Sequence, residues 1–312
     1  LAREWKIKDE GASAMRTNAA IIPIVPVIRL KKILYATNFS VAEWGALNLV
    51  AMLVRRYQST VYVAHICEPR TYPLVAPEVG YVLESGQGSK AHRHMADLLR
   101  SSPLNSLPVK AIVRSGQTVE QLENIVHEEH IDLAVVCTRG QTGFKRVMAG
   151  SVAEAAFRNL VCPVLTVGRH LLHRFATAGI KNILFPTDLS RESMAVFPYL
   201  ASLAHEYQAK ITVLHVTPPD TARDPDAPAL AGPIRRELER ALSPQISPEC
   251  EIEFIVEPGR IAECIVEQAN ARHADLIGLG VRQAPEIATR FEKTVAYQVV
   301  ASAQCPVLTC RL

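Results

Sequence analysis

The sequence predicts an α/β chain of two successive domains, each a doubly wound sheet of five parallel strands. Two observations carry the prediction: the chain repeats itself, and each copy alternates short Val/Ile/Leu-rich runs with longer amphipathic stretches. KKILYATNFS (Lys31 to Ser40) returns about 150 residues later as KNILFPTDLS (Lys181 to Ser190). VYVAHI (Val61 to Ile66) returns at the same offset as ITVLHV (Ile211 to Val216), which sets His65 opposite His215. DLAVV (Asp132 to Val136) and Cys162-Pro163-Val164-Leu165 return as DLIGL (Asp275 to Leu279) and Cys305-Pro306-Val307-Leu308, at a slightly smaller offset. The length difference therefore falls in the middle of the copy, where loops vary.

In the first copy the strands are expected at Ile33–Thr37, Thr60–Ile66, Val109–Arg114, Leu133–Cys137 and Val164–Val167. Helices are expected over Val41–Tyr57, Lys90–Ser101, Thr118–Glu129 and Ser151–Asn159, and the second copy repeats the series from Ile183 to Cys310. Apolar runs joined by crossover helices are the mark of parallel strands buried on both faces. Right-handed crossovers then leave few alternative topologies. Pro198, inside the first helix of the second copy, predicts a kink there. The division that follows is an N-terminal extension over residues 1–30, a first domain over 31–168, a linker over 169–179 and a second domain over 180–312.

Composition excludes several function classes. The 312 residues are 48% apolar and 21% charged, as in an ordinary globular chain and unlike a disordered one. The net charge is only +3 and no run of five basic residues occurs, so nucleic acid and anionic membranes are not expected partners. The apolar stretch Ile21 to Ile28 (IIPIVPVI) is too short and too proline-broken to cross a bilayer, and no small-residue cleavage pattern follows it. The seven cysteines are odd in number and scattered without a CxxC, which reads as reduced, buried thiols in a cytoplasmic protein. His92/His94 and His127/His130 lack the companions of a metal site and read as solvated helix faces. The chain opens on Leu1 with Met15 close behind, so residues 1–14 read as a tag, a fragment end or a misassigned start.

In an open parallel sheet, ligands bind beyond the carboxyl ends of the strands where the strand order reverses. The residues to inspect are therefore Thr37-Asn38 and Thr187-Asp188 after the first strands, and the segment after each fourth strand. In the first copy that segment holds Gly140, nine further residues, then Gly150-Ser151 at a helix start. Glycines let a backbone approach a phosphate, and the free amides of a helix start favour an anion. The bland alternative is that both glycines serve tight turns.

TNFS or TDLS after the first strand, the Gly140…Gly150-Ser151 loop and Cys-Pro-Val-Leu in the last strand together resemble the universal stress proteins. The resemblance covers nearly everything from Lys31 to Leu312. It implies a Rossmann-like fold of the adenine nucleotide alpha hydrolase type and a site for ATP or a related adenine nucleotide, with magnesium as a companion ion. The family's loop reads Gly-x2-Gly-x9-Gly-Ser/Thr, preceded by an acidic residue after the first strand. Carried over position by position, the implied ligand-binding residues are Ala36, Thr37, Asn38, Ile66, Val136, Cys137, Gly140, Gly150, Ser151 and Val152 in the first copy, with Asp188, Gly280 and Thr294 in the second. The first copy departs at Cys137, where a glycine belongs, and at Asn38, which has lost the acidic charge. The second keeps Pro186, Asp188, Gly280 and Thr294, but Gln283 and Lys293 replace both later loop positions. The first copy is thus expected to hold the better site.

No Ser/His/Asp order, carboxylate pair or Walker-type loop can be assembled within one copy. His65 and His215 are expected to pack and hydrogen-bond beneath the ligand loop. The function implied is a regulatory, stress-response nucleotide-binding protein and not an enzyme, or one with slow ATP hydrolysis at most. A slow ATPase or nucleotidyl-transfer enzyme of the same fold, and a scaffold with degenerate sites, stay open as alternatives. Each copy ends in a short apolar strand whose exposed edge would be an aggregation liability. The two edges are expected to pair antiparallel within the chain as a pseudo-twofold tandem, with weak homodimerisation left open.

Overall fold

A computed structural model describes residues 28–40, 43–68, 87–138, 151–168, 179–220, 227–281 and 294–311. In the first copy β1 (Lys32–Ala36), β2 (Thr60–Cys67), β3 (Val109–Ser115), β4 (Leu133–Cys137) and β5 (Val164–Val167) alternate with α1 (Trp44–Tyr57), α2 (Gln87–Ser101), α3 (Thr118–Glu129) and α4 (Ser151–Asn159). The second copy has β6 (Asn182–Pro186), α5 (Arg191–Met194), α6 (Phe197–Tyr207), β7 (Lys210–Thr217), α7 (Ala227–Leu242), β8 (Ile252–Pro258), α8 (Ile261–Ala271), β9 (Leu276–Val281), α9 (Val295–Ser302) and β10 (Val307–Arg311). Loop positions Gly140, Gly150, Gln283 and Lys293, most of the N-terminal extension and most of the linker lie outside the described residues.

The strands form one sheet of ten, in the order β3-β2-β1-β4-β5-β10-β9-β6-β7-β8. The last strands of the two copies pair antiparallel as expected, and the pairing merges the two five-stranded sheets into one. All pairings within a copy are parallel, whereas β5 and β10 run antiparallel, with Val307 opposite Thr166, Leu308 opposite Leu165 and Thr309 opposite Val164. The Thr309 hydroxyl adds a bond to the Val164 carbonyl at 3.1 Å. The edge groups that each copy would expose are satisfied by the other copy, so the two sheets become one.

Helices cover both faces of this sheet, and each face has one apolar core running through both copies. On one face α1 and Met95 of α2 share a cluster with α6 and with Leu238 and Leu242 of α7; on the other, α3 and α4 share a cluster with α8 and α9. β1 shows why its sequence is almost uninterruptedly apolar: Ile33, Leu34 and Tyr35 are all buried, successive residues facing opposite cores. Across the copies, Arg56 on α1 pairs with Glu206 on α6 at 2.8 Å.

The repeated Asp132 and Asp275 have a structural job. Asp132 Oδ2 accepts the backbone N–H groups of Lys31 and Lys32 at 2.7 and 2.8 Å, and Asp275 Oδ2 accepts those of Lys181 and Asn182 at 2.9 and 3.0 Å. Each carboxylate thus ties the start of β4 or β9 to the start of β1 or β6. Helix ends repeat as well: Gln58 and Gln208 close α1 and α6 in the left-handed region, with φ of 52° and 50°.

Pro198 does more than kink a helix. The segment ends at Met194 and restarts as α6 at Phe197, with Pro198 in the first turn. A proline there has no N–H to give the preceding turn and is tolerated only at a helix start. The cysteines also differ in burial from expectation, since all seven are free but only Cys305 and Cys310 are fully buried.

Leu308 is 3% exposed and belongs to the core that both copies share. Leu308→Ala should cost about 2–5 kcal/mol, and chemical denaturation should show both copies unfolding in one transition. Two separated transitions would mean that the copies are held together less tightly than the continuous core requires.

Candidate functional site

The turn after β1 positions the site. Thr37 Oγ1 accepts the Phe39 N–H at 3.0 Å and Asn38 Oδ1 accepts the Ser40 N–H at 2.9 Å, which folds Thr37–Ser40 into a tight turn with Phe39 at φ 62°. Thr187, Asp188 and Leu189 repeat the arrangement with bonds of 3.0 and 2.9 Å and φ 61°. A bulky residue in the left-handed region costs energy and persists where its surroundings hold it there. The side-chain acceptor at residue 38 or 188 is therefore engaged by its own turn in both copies.

Beneath the turn lie His65 and His215. Each donates from Nδ1 to the carbonyl of Thr37 or Thr187, at 2.9 Å in both copies, because a carbonyl oxygen can only accept. This bond fixes the tautomer and braces the turn from β2 or β7. These bonds go to the turn after the first strand, the ligand loop of the expectation lies outside the described residues, and His65 in addition lines the cavity above.

That cavity, of about 450 Å³, opens at the carboxyl ends of β1, β2 and β4 in the first copy. It sits where the order β2-β1-β4 reverses direction, the place at which open parallel sheets bind ligands. Ala36, Thr37, Asn38, Ile66, Val136, Cys137 and Val152 all line it. Gly140 and Gly150 lie outside the described residues, and Ser151 is described only as the first residue of α4. Sequence reasoning missed Glu43, Glu68, Lys90 and Thr118, which also line the cavity, Thr118 donating to the Glu68 carboxylate from the start of α3. His94 is exposed on α2, as expected, and at the same time lines the cavity and meets the Phe39 ring edge-on at 5.6 Å. Phe39 also lies against His65, with ring centroids 4.3 Å apart.

Glu43 is the unexpected member. It is 4% exposed, and its carboxylate collects three donors: Thr37 Oγ1 at 2.6 Å and Tyr35 OH at 3.2 Å on Oε2, and the Asn38 N–H at 3.1 Å on Oε1. Burial raises its pKa, and the hydrogen bonds from Thr37, Asn38 and Tyr35 only partly offset this. Cys137 lies with its sulfur 4.0 Å from Tyr35 OH, and burial followed by the nearby Glu43 charge holds it as a protonated thiol. A buried thiol raised in this way is a poor nucleophile.

The second copy uses the matching positions differently. Gly280 stands opposite Cys137, and a side chain there would reach within 1.8 Å of the Glu192 carbonyl oxygen in α5. Glycine is required there for the helix turn to lie against the end of β9. Thr294 caps α9, accepting the Tyr297 N–H at 3.3 Å. Asp188 is exposed, and although burial opposes its ionisation, hydrogen bonds from Ser190 and Ser193 lower its pKa. Among the described residues no group of three or more His, Cys, Asp or Glu is placed to hold a metal ion.

The profile of the universal stress protein family matches this sequence twice, over residues 29–168 and again over 179–311. The chain belongs to the universal stress protein family. Two universal stress proteins of Methanocaldococcus jannaschii resemble it over one copy's length. One is 26% identical over 148 residues, covering 44% of this chain and 81% of the relative, and the other 25% identical over 157 residues, covering 46% and 97%. A crystal structure of a universal stress protein from Archaeoglobus fulgidus superposes with a TM-score of 0.71 at 17% identity, covering 91% of this chain and 97% of that one. A functionally unknown Pseudomonas aeruginosa protein gives 0.64 at 15%, covering 90% and 92%. These superpositions speak for the fold across both copies.

The raised pKa of Glu43 links stability to pH. The folded chain holds that proton more tightly than the unfolded chain, so the contribution is present below the ordinary glutamate range and is lost as pH rises through the raised value. Glu43→Gln, neutral throughout, should therefore gain in Tm over the wild type as pH increases between about 4 and 8. A difference independent of pH would show that Glu43 does not titrate differently on folding.

Proposed function

We propose that this universal stress protein is a cytoplasmic regulatory protein of the stress response that binds ATP or a related adenine nucleotide, in the first copy by preference. The observation that carries the reading is the cavity at the β1/β4 reversal, whose volume of about 450 Å³ falls within the span of small-molecule sites. Thr37, Asn38 and the turn around Phe39 would hold the base and ribose, while Gly140, Gly150 and Ser151 would receive the phosphates at the start of α4. Lys90 adds a cation to the same cavity. In the second copy, the α5 turn against Gly280, with Gln283 and Lys293 in the loop, favours a structural role. The division into domains over 31–168 and 180–312, paired as a pseudo-twofold tandem, belongs to the same reading. It is supported by the mirrored strand order on either side of the β5–β10 pair.

Isothermal titration of the full chain with ATP and magnesium should give one tight site. Gly150→Lys should abolish most of the binding by placing a long side chain where the phosphates approach, and Thr294→Ala should leave it within about twofold. Loss of binding in the Thr294 variant with retention in the Gly150 variant would move the site to the second copy. Phosphate release from ATP should stay far below an ordinary turnover of about 1 per second. Mass spectrometry of small molecules freed by denaturing the purified protein would identify a nucleotide carried through purification.

A further inference from the structure

Three positions that meet at the cavity, two of them near the first strand and the third at the end of the fourth, change together between the copies. Tyr35, Glu43 and Cys137 in the first stand where the second has Phe185, Ser193 and Gly280. The second copy's set is compact: Phe185 packs on Phe197 with centroids 5.1 Å apart, Ser193 Oγ lies 2.9 Å from Thr187 Oγ1, and Gly280 admits the α5 turn. The first copy's set places a phenol, a carboxylate and a thiol together at the base of the cavity.

The hydrogen bonds in this group all point one way. Thr37 Oγ1 already accepts from Phe39 N, so its proton is free to go to Glu43. Tyr35 OH donates to Glu43, and the Cys137 thiol beside it can in turn donate to the phenol oxygen. An ionised carboxylate offers about four acceptor positions. Two on Oε2 and one on Oε1 are taken, which leaves one on Oε1. Among the described residues no lysine or arginine forms an ion pair with Glu43. A buried carboxylate whose hydrogen bonds all come from neutral donors is costly even with His65 near enough to favour its charge, and the matching positions of the second copy show that this fold can do without one.

We infer that Glu43 is a specificity-determining residue of the first-copy cavity, its unused Oε1 position accepting an N–H donor from the ligand's head group. Resting on the adenine-nucleotide reading, this donor is the amino group of the base. Asn38 carries no charge where the second copy has Asp188, and Glu43 supplies a carboxylate to the cavity five residues further along the chain. A base with no donor at that position leaves Oε1 under-satisfied and desolvated, and the site rejects it for that reason. Protonation of Glu43 would occupy the same position and turn the acceptor into a donor, so the discrimination weakens as pH falls. Among the described residues His65, Cys67, His94, Glu68, Lys90, Tyr35 and Cys137 are the other titratable groups around the cavity, and a Glu43 variant separates their effect from that of Glu43.

The test is isothermal titration of the full chain with ATP and with purine riboside triphosphate, which differs only in lacking the amino group. A bond to a charged acceptor corresponds to a preference of about ten- to a hundredfold for ATP in the wild type. Glu43→Ser, which installs the second copy's residue, should bring the two affinities to within about twofold. Glu43→Gln, which keeps the shape and a neutral acceptor, should leave an intermediate preference. In the wild type the preference should shrink with falling pH, and in Glu43→Gln it should not. Equal binding of both nucleotides by the wild type, or an undiminished preference in Glu43→Ser, overturns the role of Glu43 while leaving nucleotide binding intact. Failure of the wild type to bind either nucleotide overturns the nucleotide reading and this inference with it.

Discussion

β5 and β10 each have a neighbour from their own copy on one side only, and the backbone groups on the other side must be paired or hydrated. Their antiparallel pairing satisfies both rows at once and converts two open sheets into one sheet with an uninterrupted core on each face. The positions of the other elements follow from it. α1 faces α6 closely enough for Arg56 to reach Glu206, and the two cores extend across the seam with the buried Thr166 and Thr309 lying in it. Because both strands sit on one chain, the contact forms at a high effective concentration and needs no separate partner.

Most of the fold was legible because the features that specify it are local and repeated. Apolar runs of strand length and helices of amphipathic period put nearly every element of the first copy within a residue or two of its place. The Asp132/Asp275 pair was visible as a motif, but not its reason, because a carboxylate that ties two strand starts together acts across about 100 residues of chain. Pro198 was read as a kink because the surrounding pattern is helical, and only the break after Met194 shows that the pattern belongs to two helices.

The candidate site was legible at its rim and hidden at its base. Thr37, Asn38 and Cys137 stand in a recognisable strand-end motif, whereas Glu43 looks like an ordinary acidic residue at a helix start, where such residues favour the dipole and face water. Its burial depends on Tyr35 and Thr37, whose side chains reach it from β1 and the turn beyond, and linear spacing does not reveal that. A comparison of the copies position by position holds the missing signal, since Glu43, Tyr35 and Cys137 depart from their counterparts as a group.

The seam also limits how far this design can be extended. The last strand of each copy is consumed by the last strand of the other, so the outer boundaries of the sheet are β3 and β8, which belong to a different part of the domain. A third copy appended to the chain would find no unoccupied terminal strand to join. Growth by the contact that made the pair therefore stops at two, in contrast to solenoid repeats, where every unit added presents a fresh surface for the next.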